Sequence, residues 1–232
     1  IFFNGLKKIS NSYNKKGVWG VQPRNKEQAY AMDLLLDPNV PIVTLIGRAG
    51  SGKTLLSLAC GLCQVLEPTS SGGSYRNLIV SRPIQPVGKD IGYLPGTLEE
   101  KMLPWIAPIQ DNLRFLMGND RDTLQLYIDN GTIEIEALTY IRGRSISNAF
   151  IIIDEAQNLT MHELKTIITR VGDDTKIVLC GDIEQIDNVY IDATSNGLTY
   201  AVEKFKPYEL SGHVTLSKGE RSPVATLASE VL

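Results

Sequence analysis

The sequence predicts an α/β fold, with a mainly parallel β-sheet flanked by helices. From Val40 onward, short runs rich in β-branched residues and leucine alternate with helical patterns, as in parallel strands joined by helical crossovers. These runs are apolar at consecutive positions, which indicates strands that helices cover on both faces. A hydrophobic fraction of 43% and a charged fraction of 21% exclude a disordered chain and a fibrous rod. The predicted strands are PIVTLIG, NLIVSRP, AFIIIDEA and TKIVLCGD.

The chain begins with a short basic segment that differs from the rest. We expect residues 1–17 to be a basic linker or tail, and residues 18–232 to form one domain, because the tail lacks a sustained apolar period. Residues 1–30 carry a net charge of +5, so the remaining residues carry −8 and the whole chain −3. This balance argues against a protein that holds nucleic acid through overall positive charge. Because the chain opens on Ile1 rather than Met, we expect a fragment of a longer protein.

No segment of the sequence has the pattern of a membrane or secretory element. No apolar run approaches the roughly 20 residues that a membrane-spanning helix requires, and the first residues carry charges too early for a secretory leader. We therefore predict a cytoplasmic protein with no membrane partner.

A glutamine precedes the first predicted strand. Gln28 follows Pro23 at the start of a helix-like stretch. A glutamine side chain can pair with both N6 and N7 of adenine, as it does in DNA recognition. Gln28 is therefore a candidate for selecting ATP over GTP.

The first predicted strand leads into a phosphate-binding motif. Residues 47–54, GRAGSGKT, fit the pattern G-x-x-x-x-G-K-[ST] between a strand and a helix that we expect from Thr54 to about Leu66. The glycines permit a tight turn whose backbone N–H groups and helix N-terminus form an anion site. Lys53 would neutralise the β- and γ-phosphates, and Thr54 would bind Mg²⁺. The predicted nucleotide-binding residues here are Gly47, Arg48, Ala49, Gly50, Ser51, Gly52, Lys53 and Thr54.

A long excursion at about residues 84–149 separates the second and third apolar runs. It exceeds what a crossover needs, so we expect an insertion. Its first half is rich in glycine and proline, and Trp105, Ile109 and Leu113 then follow helical spacing. The later segment GTIEIEALTYIRGR alternates like a half-exposed strand pair or hairpin.

Two adjacent carboxylates end the next predicted strand, which we expect to be central in the sheet. Asp154 and Glu155 follow Phe150–Ile153, where a buried charge is costly unless a cation or hydrogen bonds meet it. Asp154 is a candidate Mg²⁺ ligand, and Glu155 is a candidate base for the water that attacks the γ-phosphate. The alternative is a solvated strand end, which is weaker beside a phosphate loop.

Two further residues are candidates for sensing the γ-phosphate. Gln185 follows the strand that ends at Gly181, and ligands of open α/β sheets bind at such carboxyl edges. Arg221 is a candidate for stabilising charge on the transferred phosphoryl group. Taken alone, an ordinary loop glutamine and a surface arginine are the favoured alternatives.

Three arginines are candidates for contacts with nucleic acid. Arg82 ends the second strand, and Arg142 and Arg144 flank a glycine in the insertion. Arginine is a frequent ligand of nucleic-acid phosphates. The alternative, which the sequence favours equally, is that Arg142 and Arg144 form ion pairs with acids such as Glu134 and Glu136.

These motifs together resemble one family. The segments QPRNKEQ, GRAGSGKT, SRPIQPVGKDIGYLPG, IRGRS, IIIDEAQN and GDIEQID occur in the order typical of PhoH family ATPases, and the resemblance covers about residues 18–232. More distantly, the chain resembles the first motor domain of superfamily-one helicases. The resemblance implies a RecA-like P-loop NTPase core, ATP with Mg²⁺ as cofactors, and a link to single-stranded RNA.

The resemblance also assigns roles and partners. It implies phosphate contacts by residues 47–54, metal binding by Thr54 and Asp154, and catalysis by Lys53 and Glu155. Gln185 and Arg221 would act as sensors. In the most similar subfamily a PIN ribonuclease domain precedes the ATPase, in ring-shaped oligomers. Because no second RecA-like domain follows here, a neighbouring subunit would close the ATP site in a homo-oligomeric ring, hexameric by resemblance.

The leading hypothesis is an ATP-hydrolysing, RNA-remodelling motor coupled to an absent PIN domain. The alternative is a nucleotide-gated assembly or regulatory module with little turnover. A metabolite kinase is disfavoured, because Glu155 beside Asp154 suits activation of water and no acceptor lid is evident.

Overall fold

A computed structural model describes residues 17–67, 75–83, 98–141 and 145–219. Six strands and seven α-helices lie within these ranges. The strands are β1 (Ile42–Gly47), β2 (Asn77–Arg82), β3 (Ile133–Ala137), β4 (Ala149–Ile153), β5 (Lys176–Gly181) and β6 (Ser211–Leu216). The helices are α1 (Lys26–Leu36), α2 (Lys53–Leu66), α3 (Leu98–Leu116), α4 (Arg121–Asp129), α5 (Leu138–Ile141), α6 (Met161–Ile168) and α7 (Gly197–Phe205).

All six strands form one sheet in the order β3-β2-β4-β5-β1-β6, and every neighbouring pair is parallel. The predicted α/β class with a parallel sheet flanked by helices is confirmed. The four strands expected from apolar runs are present, and the strand over Phe150–Ile153 is internal, as predicted. β5 separates β1 from β4, so the phosphate loop and the two acids follow strands that are not direct neighbours.

The insertion differs from its prediction in one part. Residues 133–141 form one strand and a short helix, rather than a strand pair or hairpin. β3 pairs in parallel with β2 at the edge of the sheet, and only its first and last residues, Ile133 and Ala137, are buried. The expectation of a partly exposed strand was therefore correct, but its partner is a distant strand rather than a neighbour in sequence.

The core consists of two apolar layers on opposite faces of the sheet. Along β4, Phe150 and Ile152 pack in the layer that contains α1, α2 and α3, whereas Ile151 and Ile153 pack in the layer that contains α6 and α7. Every residue of β4 and β5 is buried, as predicted for strands covered on both sides. Burying each large apolar side chain stabilises the fold by roughly 1.5–3 kcal/mol.

Local sequence signals define helix starts next to the sheet. Thr160 caps α6 and forms a capping box with Glu163, a pairing for which the pattern T-x-x-E is typical. Asn25 caps α1 by accepting a hydrogen bond from the backbone N–H of Gln28. In the described part of the chain, none of the helices has the length and apolar character needed to cross a bilayer.

Candidate nucleotide site

The phosphate loop joins β1 to α2 at the carboxyl edge of the sheet. Gly50 and Gly52 have positive φ angles of 78° and 92°, which glycine adopts without the strain of a side chain. A Cβ atom on Gly47 would lie 2.6 Å from the carbonyl oxygen of Leu216, so this position also requires glycine. The loop ends at the N-terminus of α2, a 14-residue helix whose free N–H groups favour an anion.

Lys53 is buried and lies against the loop that precedes it. Its ammonium donates hydrogen bonds to the carbonyl oxygens of Gly47, at 2.5 Å, and Arg48, at 3.1 Å. Phosphate oxygens would be stronger partners for this charge than neutral carbonyl groups. Lys53 is therefore held beside the position that a bound phosphate would take.

Thr54 and Asp154 meet across the site. The Thr54 hydroxyl donates to Oδ1 of Asp154 at 2.7 Å, although 100 residues separate them in sequence. Asp154 is only 5% exposed. Burial raises the pKa of its carboxyl, and the charge of Glu155 raises it further, against opposing effects of the Thr54 hydrogen bond and the charge of Arg82.

This pair of oxygen atoms fits a divalent cation. A cation here would relieve the cost of the buried Asp154 charge, and hydroxyl and carboxylate oxygens are ligands that Mg²⁺ prefers. Among the described residues, His, Cys, Asp and Glu form no cluster of three or more that would hold a metal. Thr54 and Asp154 are therefore the residues that would hold a magnesium ion, with its other ligands coming from outside this set of side chains.

Glu155 has a strained backbone and a fixed side chain. Its φ angle of 53° is left-handed, which costs a residue other than glycine of order 1–3 kcal/mol. One carboxylate oxygen lies 3.4 Å from Nη2 of Arg82, and the other accepts a hydrogen bond from Nε2 of Gln157 at 2.6 Å. Arg82, a predicted nucleic-acid contact, thus lies beside the candidate base.

Gln157 is a site residue to which the sequence analysis assigned no role. Its side chain is fully buried, and Nε2 also donates to the carbonyl oxygen of Gln185 at 2.8 Å. Its Oε1 accepts from the backbone N–H of Asp182 at 3.1 Å. Gln157 therefore ties Glu155 to the loop that follows β5. The only sequence signal was an amide two residues after the acid pair.

The loop that follows β5 also contacts the phosphate loop. The Asp182 carboxylate accepts from the backbone N–H of Ala49 at 2.8 Å. Arg48 forms a two-point contact with Glu184, with Nε at 3.0 Å and Nη2 at 3.2 Å from the carboxylate oxygens. Gln185 is exposed, and its backbone carbonyl oxygen accepts the hydrogen bond from Gln157 that attaches this loop to the site. The two loops thus form one connected edge.

Gln28 lies between the phosphate loop and a cavity. Its Nε2 donates to the carbonyl oxygen of Ser51 at 3.0 Å, and its Oε1 accepts from the backbone N–H of Arg24 at 2.8 Å. The adjoining cavity has a volume of about 480 Å³. It is lined by Gly20, Val21, Gln22, Pro23, Arg24, Gln28, Gly50, Gly52, Leu55, Leu56 and Phe115.

Three predicted site residues cannot be compared with the structure. Arg142, Arg144 and Arg221 lie outside the described residues. The structure brings together Lys53, Thr54, Asp154, Glu155, Arg82 and the backbone of Gln185 at one edge of the sheet.

A protein-family model described as PhoH-like protein matches residues 20–230. The chain is similar to the protein PhoH2 of Bacillus subtilis, with 56% identity over 224 residues, which cover 95% of this chain and 49% of that protein. It is also similar to PhoH2 of Mycolicibacterium smegmatis, with 41% identity over 230 residues, 99% of this chain and 51% of that protein. The chain spans about half the length of these relatives.

Solved structures show more distant likeness in the fold alone. A Sulfolobus solfataricus SWI2/SNF2 ATPase core in complex with dsDNA has a TM-score of 0.46 at 14% identity, covering 94% of this chain and 48% of its own. The Pif1 helicase of Candida albicans has a TM-score of 0.39 at 14% identity, covering 85% and 40%. The family match, the parallel sheet and the phosphate loop between β1 and α2 agree with the predicted α/β fold of a P-loop protein.

Proposed function

The chain belongs to the PhoH-like protein family, and from this premise we propose that it binds ATP with Mg²⁺, hydrolyses it and uses the cycle to remodel single-stranded RNA. The observation that carries the proposal is the contact between Thr54 and Asp154 beside the phosphate loop. This contact brings a candidate metal site within reach of the candidate base Glu155, at the edge where ligands of parallel sheets bind.

The phosphates would be held by groups that now contact one another. Lys53 would exchange its carbonyl partners, Gly47 and Arg48, for phosphate oxygens. The backbone N–H groups of the loop and the N-terminus of α2 would add to this anion site. A magnesium ion on Thr54 and Asp154 would neutralise charge on the β- and γ-phosphates.

Glu155 would orient the attacking water and accept its proton. Hydrogen bonding to Gln157 and the nearby charge of Arg82 fix its carboxylate oxygens. Because Gln157 also binds the backbone of Gln185, movement of the predicted sensor loop would change the position of the base. Gln157 is therefore proposed as a positioning residue.

The cavity beside Gln28 is the proposed adenine site. It adjoins Gly52 of the phosphate loop, and Leu55 and the exposed ring of Phe115 give it apolar walls. An adenine there would stack on apolar side chains, and the buried Gln28 amide would have to exchange its present partners, Ser51 and Arg24, for the edge of the base.

The remaining parts of the proposal concern partners. We infer that a neighbouring copy of the chain closes the ATP site in a ring. We also infer that Arg221 stabilises charge on the transferred phosphoryl group. Arg82, Arg142 and Arg144 are proposed to contact RNA, with coupling to a PIN ribonuclease domain in the whole protein. A cytoplasmic location, with access to both ATP and RNA, belongs to the same proposal.

ATP turnover with and without single-stranded RNA tests this function. RNA should stimulate the native chain, and Glu155→Gln should lower turnover by about 100-fold or more, because the base is lost. ATP binding by this variant should persist. The control is Glu203→Gln, which neutralises an exposed glutamate on α7 and should change neither quantity. Equal RNA-stimulated turnover in native chain and Glu155→Gln would contradict the proposal.

The second candidate is a nucleotide-gated module with little turnover. It is favoured by the contacts of Asp182 with Ala49 and of Glu184 with Arg48, through which phosphate binding would reposition the loop after β5. Tight ATP binding by the native chain without turnover, whether or not RNA is present, would support this module over the motor.

A further inference from the structure

The loop between β5 and α7 presents two apolar side chains to solvent. Val189 is 87% exposed and Tyr190 is 89% exposed. We call this pair the knob. An exposed apolar pair beside a functional site is typical of an interaction surface, provided that the backbone beneath it is ordered.

A buried amide network holds the knob in place. The Asn188 side chain donates to the carbonyl oxygen of Asn158 at 3.0 Å, and the Asn158 side chain accepts from the backbone N–H groups of Asp187 and Asn188. The Asn188 side chain in turn accepts from the backbone N–H of Tyr190 at 3.1 Å. Because both asparagines are buried, the knob has a fixed base.

A complementary groove lies between α6 and α7. It has a volume of about 350 Å³ and a predominantly apolar lining. Lys165 and Lys204 stand on its exposed rim, and neither has an ion-pair partner among the residues that the structure describes. The groove is lined by Met161, His162, Leu164, Lys165, Ile168, Thr169, Tyr200, Ala201, Lys204 and Phe205.

The charges around the knob and the groove are opposite. Residues 181–196 contain no lysine or arginine and four acids. Of these acids Asp182 is buried and Glu184 pairs with Arg48, so Asp187 and Asp192 are the exposed acids that flank the knob. One of these acids is Asp192, whose pKa falls to about 2 because Thr194 and Ser195 donate hydrogen bonds to its carboxylate. The lining of the groove contains lysines and a histidine but no acid. An acidic, apolar knob therefore matches a basic, apolar groove on the same chain.

We propose that the Val189–Tyr190 knob of one copy of this chain docks into the α6–α7 groove of a second copy. The proposal rests on the proposed closure of the ATP site by a neighbouring copy and identifies the surfaces involved. Because the two surfaces differ, the contact is head-to-tail, the kind that closes into a ring when the rotation between copies permits.

The acidic loop argues for a protein partner rather than RNA. Phosphate groups would be repelled by the carboxylates near Tyr190, whereas the lysines of a second groove would be attracted. The loop that carries the knob also contacts the candidate nucleotide site, since it includes Glu184, bound to Arg48, and Gln185, bound to Gln157. Docking at the knob would therefore act on both the phosphate loop and the base.

Site-specific photo-cross-linking on the full chain tests the contact. A benzophenone amino acid in place of Tyr190 should give cross-linked dimers, with cross-links in peptides that contain residues 161–169 or 197–205. The same probe in place of Leu126, an exposed residue on α4, should not label these peptides. Labelling of other surfaces from position 190, or no cross-linked dimer at all, would overturn the proposal.

Charge reversal tests the same pair of surfaces by sedimentation. Asp187→Lys alone and Lys165→Glu/Lys204→Glu alone should each weaken self-association about 10-fold or more, and an equimolar mixture of the two variants should recover part of it. Arg121→Glu, a reversal on α4, should have no effect. Failure of the mixture to associate better than either variant would contradict the contact.

Two measurements separate this proposal from the proposed function. Self-association is measured without nucleotide, and ATP binding is measured on the same samples, so a chain that associates through the knob without hydrolysing ATP would refute only the ATPase. If Tyr190→Ala weakens binding of single-stranded RNA while self-association is unchanged, the knob is an RNA contact and the docking proposal is wrong.

Discussion

Two buried lysines at opposite edges of the sheet donate hydrogen bonds to backbone carbonyl groups, but the two sets of hydrogen bonds have different consequences. At the carboxyl edge, Lys53 donates to the carbonyl oxygens of Gly47 and Arg48 in its own loop. At the amino edge, fully buried Lys176 donates to the carbonyl oxygens of Leu34, at 2.9 Å, and Asp37, at 2.7 Å, where α1 ends.

The two lysines differ in what would happen to their carbonyl acceptors if the lysine side chain were removed. The carbonyl group of Leu34 has no further turn of helix to bind it, so Lys176 satisfies a group that would otherwise be buried and unpaired. The carbonyl oxygen of Asp37 also accepts from the backbone N–H of Val40, so Lys176 is its second donor. The carbonyl groups near Lys53 belong to the loop that we propose to bind phosphate. A buried lysine can therefore stabilise the fold at one edge and remain available to a phosphate at the other.

Lys53→Met should give the largest effect of these substitutions, on ATP affinity. If ATP affinity did not fall, the proposed difference between the two lysines would be wrong. ATP affinity should fall about 100-fold or more, because charge-assisted hydrogen bonds to the phosphates are lost. The free energy of unfolding without nucleotide should change by less than about 1 kcal/mol. Binding of a fluorescent ATP analogue and urea denaturation measure the two quantities. A large loss of stability would show that Lys53 is chiefly structural.

Lys176→Met should give the opposite result. The free energy of unfolding should fall by about 2 kcal/mol, because the carbonyl group of Leu34 loses its donor and that of Asp37 loses one of two donors. ATP affinity of the folded protein should be unchanged. The same two assays apply, and each lysine variant is the control for the other. Weakened ATP binding in a folded Lys176→Met chain would remove the distinction between the edges.

Gln157→Ala should sharpen the functional side of the comparison. With ATP affinity retained, kcat should fall about 10-fold, because the Glu155 carboxylate loses a hydrogen bond that positions it. Gln157→Asn should recover little, since the shorter amide cannot span the same contacts. Gln64→Asn alters another buried glutamine, whose amide donates to Leu35, and should affect stability alone. A changed KM with constant kcat would contradict a positioning role.

Replacing His213, a buried residue of β6 that lies between the amino and carboxyl ends of the strand, should have the smallest effect of these substitutions. Its Nδ1 lies 2.8 Å from the Thr44 hydroxyl, and burial lowers its pKa from 6.5 to about 4. The unfolded chain therefore binds a proton more readily, so the free energy of unfolding should fall by about 1 kcal/mol as pH drops from 7 to 5.5. His213→Gln should lose this dependence on pH, whereas His162→Gln, at an exposed histidine, should keep it.

Features carried by neighbouring residues could be predicted from the sequence. The phosphate loop, the capping box at Thr160 and the buried strands before Asp154 each have a local pattern. The fold class followed from the order of these patterns. Helix boundaries agreed closely for the same reason: α2 was expected to end at about Leu66, where it does end.

Contacts between distant segments had no such pattern. The strand over Ile133–Ala137 was expected to pair with a sequence neighbour, but it pairs with β2, more than 50 residues earlier. Gln157 and Asp182 acquire their roles only when β4 and β5 end side by side. Pairing Arg82 with Glu155 likewise depends on strand order. The candidate residues could thus be selected from sequence, but their connections required the assembled sheet.

The pairing of β1 has a consequence for synthesis of the protein. This strand carries the phosphate loop, and its partners within the described ranges are β5 and β6, through registers such as Ile42 with Ile177 and with Ser211. At translation rates of about 5–20 residues per second, on the order of 10 s passes before both partners exist. Until then β1 is an apolar segment that lacks at least one of its two pairing partners. The nascent chain therefore acquires its nucleotide site late in synthesis.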